Sequence, residues 1–96
     1  MNKEEIRKKI GGTLPFLKQK YNVKRLGIFG SVVRGEQKKG SDVDVLVEFV
    51  SPIGLFDFIG LENFLAKTLN QKVDLVSKKA LKKVIKADVL KETVYV

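Results

Sequence analysis

Within fifteen residues the chain carries Gly30-Ser31, Arg34-Gly35 and Ser41-Asp42-Val43-Asp44. These supply a glycine–serine turn, an arginine, and two carboxylates two positions apart. Together they are the means of holding a nucleoside triphosphate with a divalent metal, and they point to nucleotidyl transfer. Asp42-Val43-Asp44-Val45-Leu46-Val47-Glu48-Phe49 alternates as a strand does, so Asp42 and Asp44 project together while Val43, Val45, Val47 and Phe49 point the other way. Two carboxylates side by side repel, and a cation between them relieves the repulsion. Magnesium suits the place, because it binds hard oxygens, usually one or two carboxylates plus substrate phosphates. Clamping both the attacking and leaving oxygens with two metals calls for a third acid. Asp74, in Val73-Asp74-Leu75-Val76, is the other acid set in an apolar strand-like run. If its strand lies beside that of Asp42, three carboxylates converge.

The turn supplies the anion side. Lys24 to Phe29 reads as a strand ending at Gly30-Ser31, and the pattern predicts Ser31 as the N-cap of a short helix through Arg34, closed by Gly35. Free N–H groups at such a turn attract anions, and glycine lets the backbone approach phosphate. Arg34 lies about one helical turn after Ser31, within reach of the same anion. Ser41 joins Gly30, Ser31 and Arg34 as a nucleotide-binding candidate. Lys38 and Lys39, in the polar loop from Glu36 to Gly40, could approach phosphate or face water. The other phosphate-binding signatures, G-x-x-x-x-G-K-[ST] and G-x-G-x-x-G, do not occur.

The run Gly30-Ser31-Val32-Val33-Arg34-Gly35, five residues, then Ser41-Asp42-Val43-Asp44 and Val47 resembles the minimal nucleotidyltransferase (MNT) family, small relatives of DNA polymerase beta and the aminoglycoside nucleotidyltransferases. The likeness extends to the closing Glu92-Thr93-Val94-Tyr95-Val96. It implies that Gly30, Ser31 and Arg34 hold the triphosphate of ATP, that Asp42 and Asp44 ligate Mg2+, and that Asp74 is the third family acid. It also implies a HEPN-domain toxin as partner, neutralised in some systems by AMP transfer onto a toxin tyrosine. Larger nucleotidyltransferases bind the acceptor with an additional domain; none is expected here, so a partner or an open cleft must present it.

Ninety-six residues, 44% of them hydrophobic, are enough for one domain and one core. The balance of 19 Lys+Arg against 11 Asp+Glu gives +8, which suits an acidic partner or RNA. The lysines concentrate at Lys78, Lys79, Lys82, Lys83 and Lys86, where Leu81, Val84 and Ile85 have helical spacing, so a lysine-covered solvent face on a packed helix is expected. No aromatic interleaves that run as a base-stacking platform. Cysteine and histidine are both absent, which removes thiolate chemistry and the commonest general base. Activation of an acceptor hydroxyl then falls to a carboxylate, Asp74 first, or to metal-bound oxygen. No signal-like or membrane-spanning apolar run is present, so the cytoplasm is the default location.

The remaining elements frame these residues. Ile6, Ile10, Leu14 and Leu17 form a helical stripe, which Gly11-Gly12 and Pro15 are expected to kink or divide, with Thr13 capping the second part. A helix over Leu55–Leu69 carries Phe58, Leu61, Leu65 and Leu69, with Phe56 and Phe64 broadening its apolar face and Asn70 stopping it. A strand around Asp74, the lysine-rich helix and an extended Val94-Tyr95-Val96 follow, with Tyr95 in the core or at an interface. The fold class expected is α/β or α+β, a small mixed sheet of three or four strands with helices mainly on one face. Two other functions fit: an antitoxin acting by contact alone, and an RNA-binding module working through the lysine-rich helix.

Overall fold

The computed structural model describes residues 1–38 and 40–96. Helix α1 (Lys3–Tyr21) leads into strand β1 (Val23–Phe29), followed by the short helix α2 (Ser31–Arg34) and strand β2 (Val43–Phe49). Helix α3 (Leu55–Leu69), strand β3 (Val73–Ser77), a 3₁₀ turn at Lys78–Ala80, helix α4 (Lys83–Glu92) and strand β4 (Val94–Tyr95) complete the chain. The sheet runs β3-β2-β1-β4. β1 is antiparallel to β2 and β4, and β2 is parallel to β3. The crossover between the parallel pair is α3, as a parallel connection requires.

The core lies on one face of the sheet. Val43, Val45 and Val47 of β2 and Leu26 and Ile28 of β1 pack with Ile6, Ile10 and Leu17 of α1 and Leu61, Leu65 and Leu69 of α3. The period-2 alternation of β2 therefore sends its valines inward and its acids outward, as the sequence predicts. Leu46 is also buried, on the opposite face and apart from that cluster. At the sheet edge the Leu75 N–H donates to Glu62 Oε2 of α3 at 2.9 Å, which satisfies a donor that an edge strand leaves unpaired. Helix α3 has the predicted bounds, ending at Asn70 in the left-handed conformation (φ 51°).

Four expectations fail. Helix α1 is not divided into two: it runs continuously with Pro15 inside it. Proline removes one backbone donor, whose partner would be the Gly11 carbonyl. The stripe of Ile6, Ile10, Leu17 and Tyr21 on either side stays anchored in the core. Thr13 caps nothing there; its hydroxyl donates to the Ile10 carbonyl at 2.7 Å. The lysine-rich run divides into the 3₁₀ turn and α4, and α4 buries no residue, leaving Val84 89% exposed. None of its residues joins the apolar core, so spacing alone misjudged it. Phe56 likewise projects into solvent, whereas Phe64 stacks on Phe16 with ring centroids 5.3 Å apart.

Candidate active site

Backbone pairing brings the acids together. Asp42 immediately precedes β2 and Asp44 is its second residue. In the parallel ladder Val43 pairs with Val73 and Asp44 with Asp74, so those two carboxylates leave the same face of adjacent strands. Across the antiparallel ladder Asp44 pairs with Phe29, the last residue of β1. That pairing sets Asp44 beside Gly30.

Gly30 has φ 76° and ψ −148°, a conformation that favours glycine. Its lack of a side chain is also a matter of room, because a Cβ at Gly30 would strike Asp44 Oδ2. The carboxylate thus lies directly over the turn. Gly30, not Ser31, is the N-cap of α2, and no side chain caps that helix. Ser31 is its first helical residue. Gly35 closes it as predicted, in the left-handed conformation at φ 71°.

The electrostatics follow from this geometry. The Asp44 carboxyl is pushed above its ordinary range by burial first, then by Asp74, Asp42 and Glu92, with Arg34 opposing. A half-buried carboxyl crowded by other carboxylates fits a divalent cation, and the donors here are the hard oxygens magnesium prefers. Among the described residues, no three acidic side chains close up into a cage that would grip an ion unaided. Phosphate oxygens and water would supply the remaining ligands.

Arg34 is held on two sides. Its Nε donates to Glu36 Oε1 at 2.8 Å and its Nη1 to Glu92 Oε1 at 2.5 Å. Glu92 Oε2 also accepts the Gly30 N–H at 3.0 Å. Burial raises the Glu92 carboxyl, but the Arg34 and Gly30 hydrogen bonds outweigh it and hold the group below its ordinary value. Ser41 stands apart from the acids' cluster in its bonding: its Oγ accepts the Lys38 N–H at 3.0 Å and shapes the loop. Lys38 is exposed, and the expectation for Lys39 lies outside the described residues. Sequence reasoning missed Glu92 and Glu36 as partners of the turn. Glu92 is 58 residues from Arg34, and no local pattern marks it.

Farther along the same face, Glu48 accepts from Arg25 Nε and from Lys78 Nζ, the latter at 3.2 Å. The Arg25 bond chiefly holds Glu48 below its ordinary range, with Lys78 helping against burial. The Arg25 guanidinium sits 4.0 Å from the centroid of the Tyr95 ring, so Tyr95 belongs to this face and not to the core. A cleft of about 600 Å³ lined by Phe49, Pro52, Ile53, Leu55, Phe58 and Lys86 opens at the far end of β2. None of the candidate catalytic residues lines it.

Antiparallel and parallel partners set acids over a glycine turn, on a sheet backed by helices, and this arrangement is that of nucleotidyl-transferring domains. Residues 10–96 match the family model described as nucleotidyltransferase domain. Protein adenylyltransferase MntA of Thermococcus cleftensis is 45% identical over 97% of this chain and 94% of that protein. A candidate protein adenylyltransferase of Methanocaldococcus jannaschii is 41% identical over 98% of this chain and 97% of its own. Among solved structures, a candidate minimal nucleotidyltransferase superposes with a TM-score of 0.83 at 33% identity, covering 98% of this chain and 95% of the other. A toxin–antitoxin with AMP-PNP superposes at 0.76 and 24% identity over 93% of this chain and 70% of that one, a likeness of fold alone. The chain belongs to the nucleotidyltransferase domain family, in its minimal form.

Proposed function

We propose that this chain is a magnesium-dependent nucleotidyltransferase acting as the antitoxin of a HEPN/MNT pair, moving AMP from ATP to a tyrosine hydroxyl of its HEPN partner. The observation that carries the reading is the parallel pairing of Asp44 with Asp74, with Asp44 Oδ2 seated over the Gly30 turn. Metal-binding acids and a phosphate-binding turn are of use to each other only at that distance. The names of the relatives support the choice of acceptor: the Thermococcus cleftensis protein is a protein adenylyltransferase. A solved neighbour of the same fold is an MNT antitoxin in complex with a tri-AMPylated HEPN toxin from Shewanella oneidensis.

In this mechanism Gly30, Ser31 and Arg34 hold the β- and γ-phosphates, and Ser41 fixes the loop that leads into Asp42. Asp42, Asp44 and Asp74 would hold Mg2+, which would supply charge neutralisation and polarisation at the α-phosphoryl group. The tyrosine oxygen bonds to the α-phosphorus and the α–β bridging bond breaks, releasing pyrophosphate. Asp74, the exposed member of the trio, takes the hydroxyl proton. Positioning and electrostatics supply nearly all of such a catalytic effect.

The test is incubation with α-labelled ATP, Mg2+ and the cognate HEPN protein. Label should pass to the HEPN chain and be lost with Asp42→Asn and with Asp44→Asn; transfer unchanged in both would refute these roles. An Asp42→Asn variant that still protected cells from the toxin would assign neutralisation to contact alone.

A further inference from the structure

Glu92 stands where the C-terminal segment meets the phosphate turn. Strand β4 pairs antiparallel with β1, Ile28 with Val94 and Gly27 with Tyr95, and the Val96 N–H donates to the Leu26 carbonyl at 2.9 Å. Continuing that register by two residues sets Glu92 opposite Gly30. The end of α4 is tied off there, with the Thr93 N–H and hydroxyl both on the Val89 carbonyl, at 3.0 and 2.6 Å. The β4 pairing and the helix end bring Glu92 to the turn, and its two hydrogen bonds there orient the carboxylate.

Both of its oxygens are used, and on different parts of the same turn. Oε2 takes the Gly30 N–H and Oε1 takes Arg34 Nη1. Glu36 holds Nε of the same guanidinium. Among the described residues Nη2 carries no partner, so two sides of the fork are gripped and the third is presented outward. The Glu92 side chain is 22% exposed against 59% for Glu36, so the less solvated carboxylate holds the guanidinium more firmly. Arg34 is also within electrostatic reach of Asp44. Released from Glu92, an arginine there would fold onto the acids that the metal needs.

We infer that Glu92 is a positioning residue of the triphosphate cradle: one carboxylate ties the Gly30 backbone to Arg34 and keeps the guanidinium turned toward phosphate and off the metal-binding acids. This rests on the nucleotidyltransferase reading above. Glutamine at this position keeps the length but removes the charge and sets an NH2 donor against one of the two donors, the Gly30 N–H or the Arg34 guanidinium.

Calorimetric titration of the intact chain with Mg-ATP, for wild type, Glu92→Gln, Arg34→Ala and the double variant, tests the inference alongside the labelled-transfer assay. Glu92→Gln should bind Mg-ATP about tenfold more weakly, the scale of one charged hydrogen bond. The double variant should be no weaker than Arg34→Ala, because the effect passes through Arg34. In the transfer assay KM for ATP should rise about as much while kcat at saturation stays within about twofold. Lost kcat with KM unchanged would mark a merely structural role and overturn the inference. So would binding as tight as wild type or tighter, or a Glu92→Gln loss that persists in full without Arg34. If the glutamine variant does not fold, Glu92→Asp, one methylene short, must show the same rise in KM. A wild-type chain that takes up no Mg-ATP would instead refute the nucleotidyltransferase reading itself.

Discussion

Asp44→Asn should make the metal-free protein more stable and at the same time deprive it of stabilisation by magnesium. Asp44 and Asp74 are register partners on adjacent strands, about 4.8 Å apart along the ladder. Two unit charges at that spacing repel by about 1 kcal/mol even at the dielectric of water, the fitting limit because Asp74 is exposed. Asp42 and Glu92 act in the same direction on Asp44. For a domain of this size, about 1 kcal/mol raises the unfolding midpoint by about 4–8 °C. The pH dependence has a definite sign. Because the folded-state pKa is raised above the ordinary 3.8, the contribution of Asp44 to stability is fully present below that value and is lost as pH rises through the raised one. The advantage of the asparagine variant in EDTA should therefore grow across that window and level off above it. Mg2+ at about 100 times its dissociation constant should stabilise the wild type by about 2.7 kcal/mol and the variant far less. Thermal unfolding by circular dichroism, with EDTA and with Mg2+, measures both halves. A variant less stable than wild type in EDTA, or one gaining as much from Mg2+, would refute the electrostatic account of the site.

Gly30→Ala should lose about 1–3 kcal/mol from the backbone conformation alone, and the displaced Asp44 should carry nucleotide binding down with it; calorimetry and denaturant unfolding separate the two. Glu48→Gln should lower stability at neutral pH and flatten the acid limb of the stability profile. Because Glu48 is held below its ordinary 4.5, its contribution is present above that value and lost as pH falls through the depressed one. Leu61→Ala, at a fully buried position between helix and sheet, should cost about 2–5 kcal/mol in urea unfolding without altering the ATP dependence of the folded fraction. Removing the charges of Lys79, Lys82 and Lys83 should leave labelled-ATP transfer unchanged if the lysine-rich segment serves no nucleic acid, and steeply salt-dependent RNA binding lost on that change would argue otherwise.

Legibility in the sequence followed the range of the interactions. Alternation in Val43–Phe49 fixed the inward valines and the outward acids, and Asn70 and Gly35 marked helix ends that the chain obeys. These are matters of period and backbone conformation within a few residues. The adjacency of Asp44 and Asp74 was a conditional expectation, because the parallel pairing that creates it joins strands separated by α3. Glu92 was beyond reach altogether: its role depends on β4 closing against β1, a two-residue pairing with little pattern to announce it. Pro15 and the lysine run misled for a shared reason. Local preference argued for an interruption in one and a packed helix in the other, whereas tertiary packing anchored the first and left the second unsupported.

Because α4 contributes nothing to the apolar interior, it behaves as a strap fastened at its two ends. One fastening is Lys78 on Glu48, just ahead of it, and the other is Glu92 on the Gly30 turn. Opening such a strap exposes no core, so its amides should exchange with deuterium well ahead of those in β1 and β2. The rate at which it opens is then set by the tightness of its fastenings, and whatever firms the turn will be registered along a ten-residue helix that holds the turn through its last residue, Glu92.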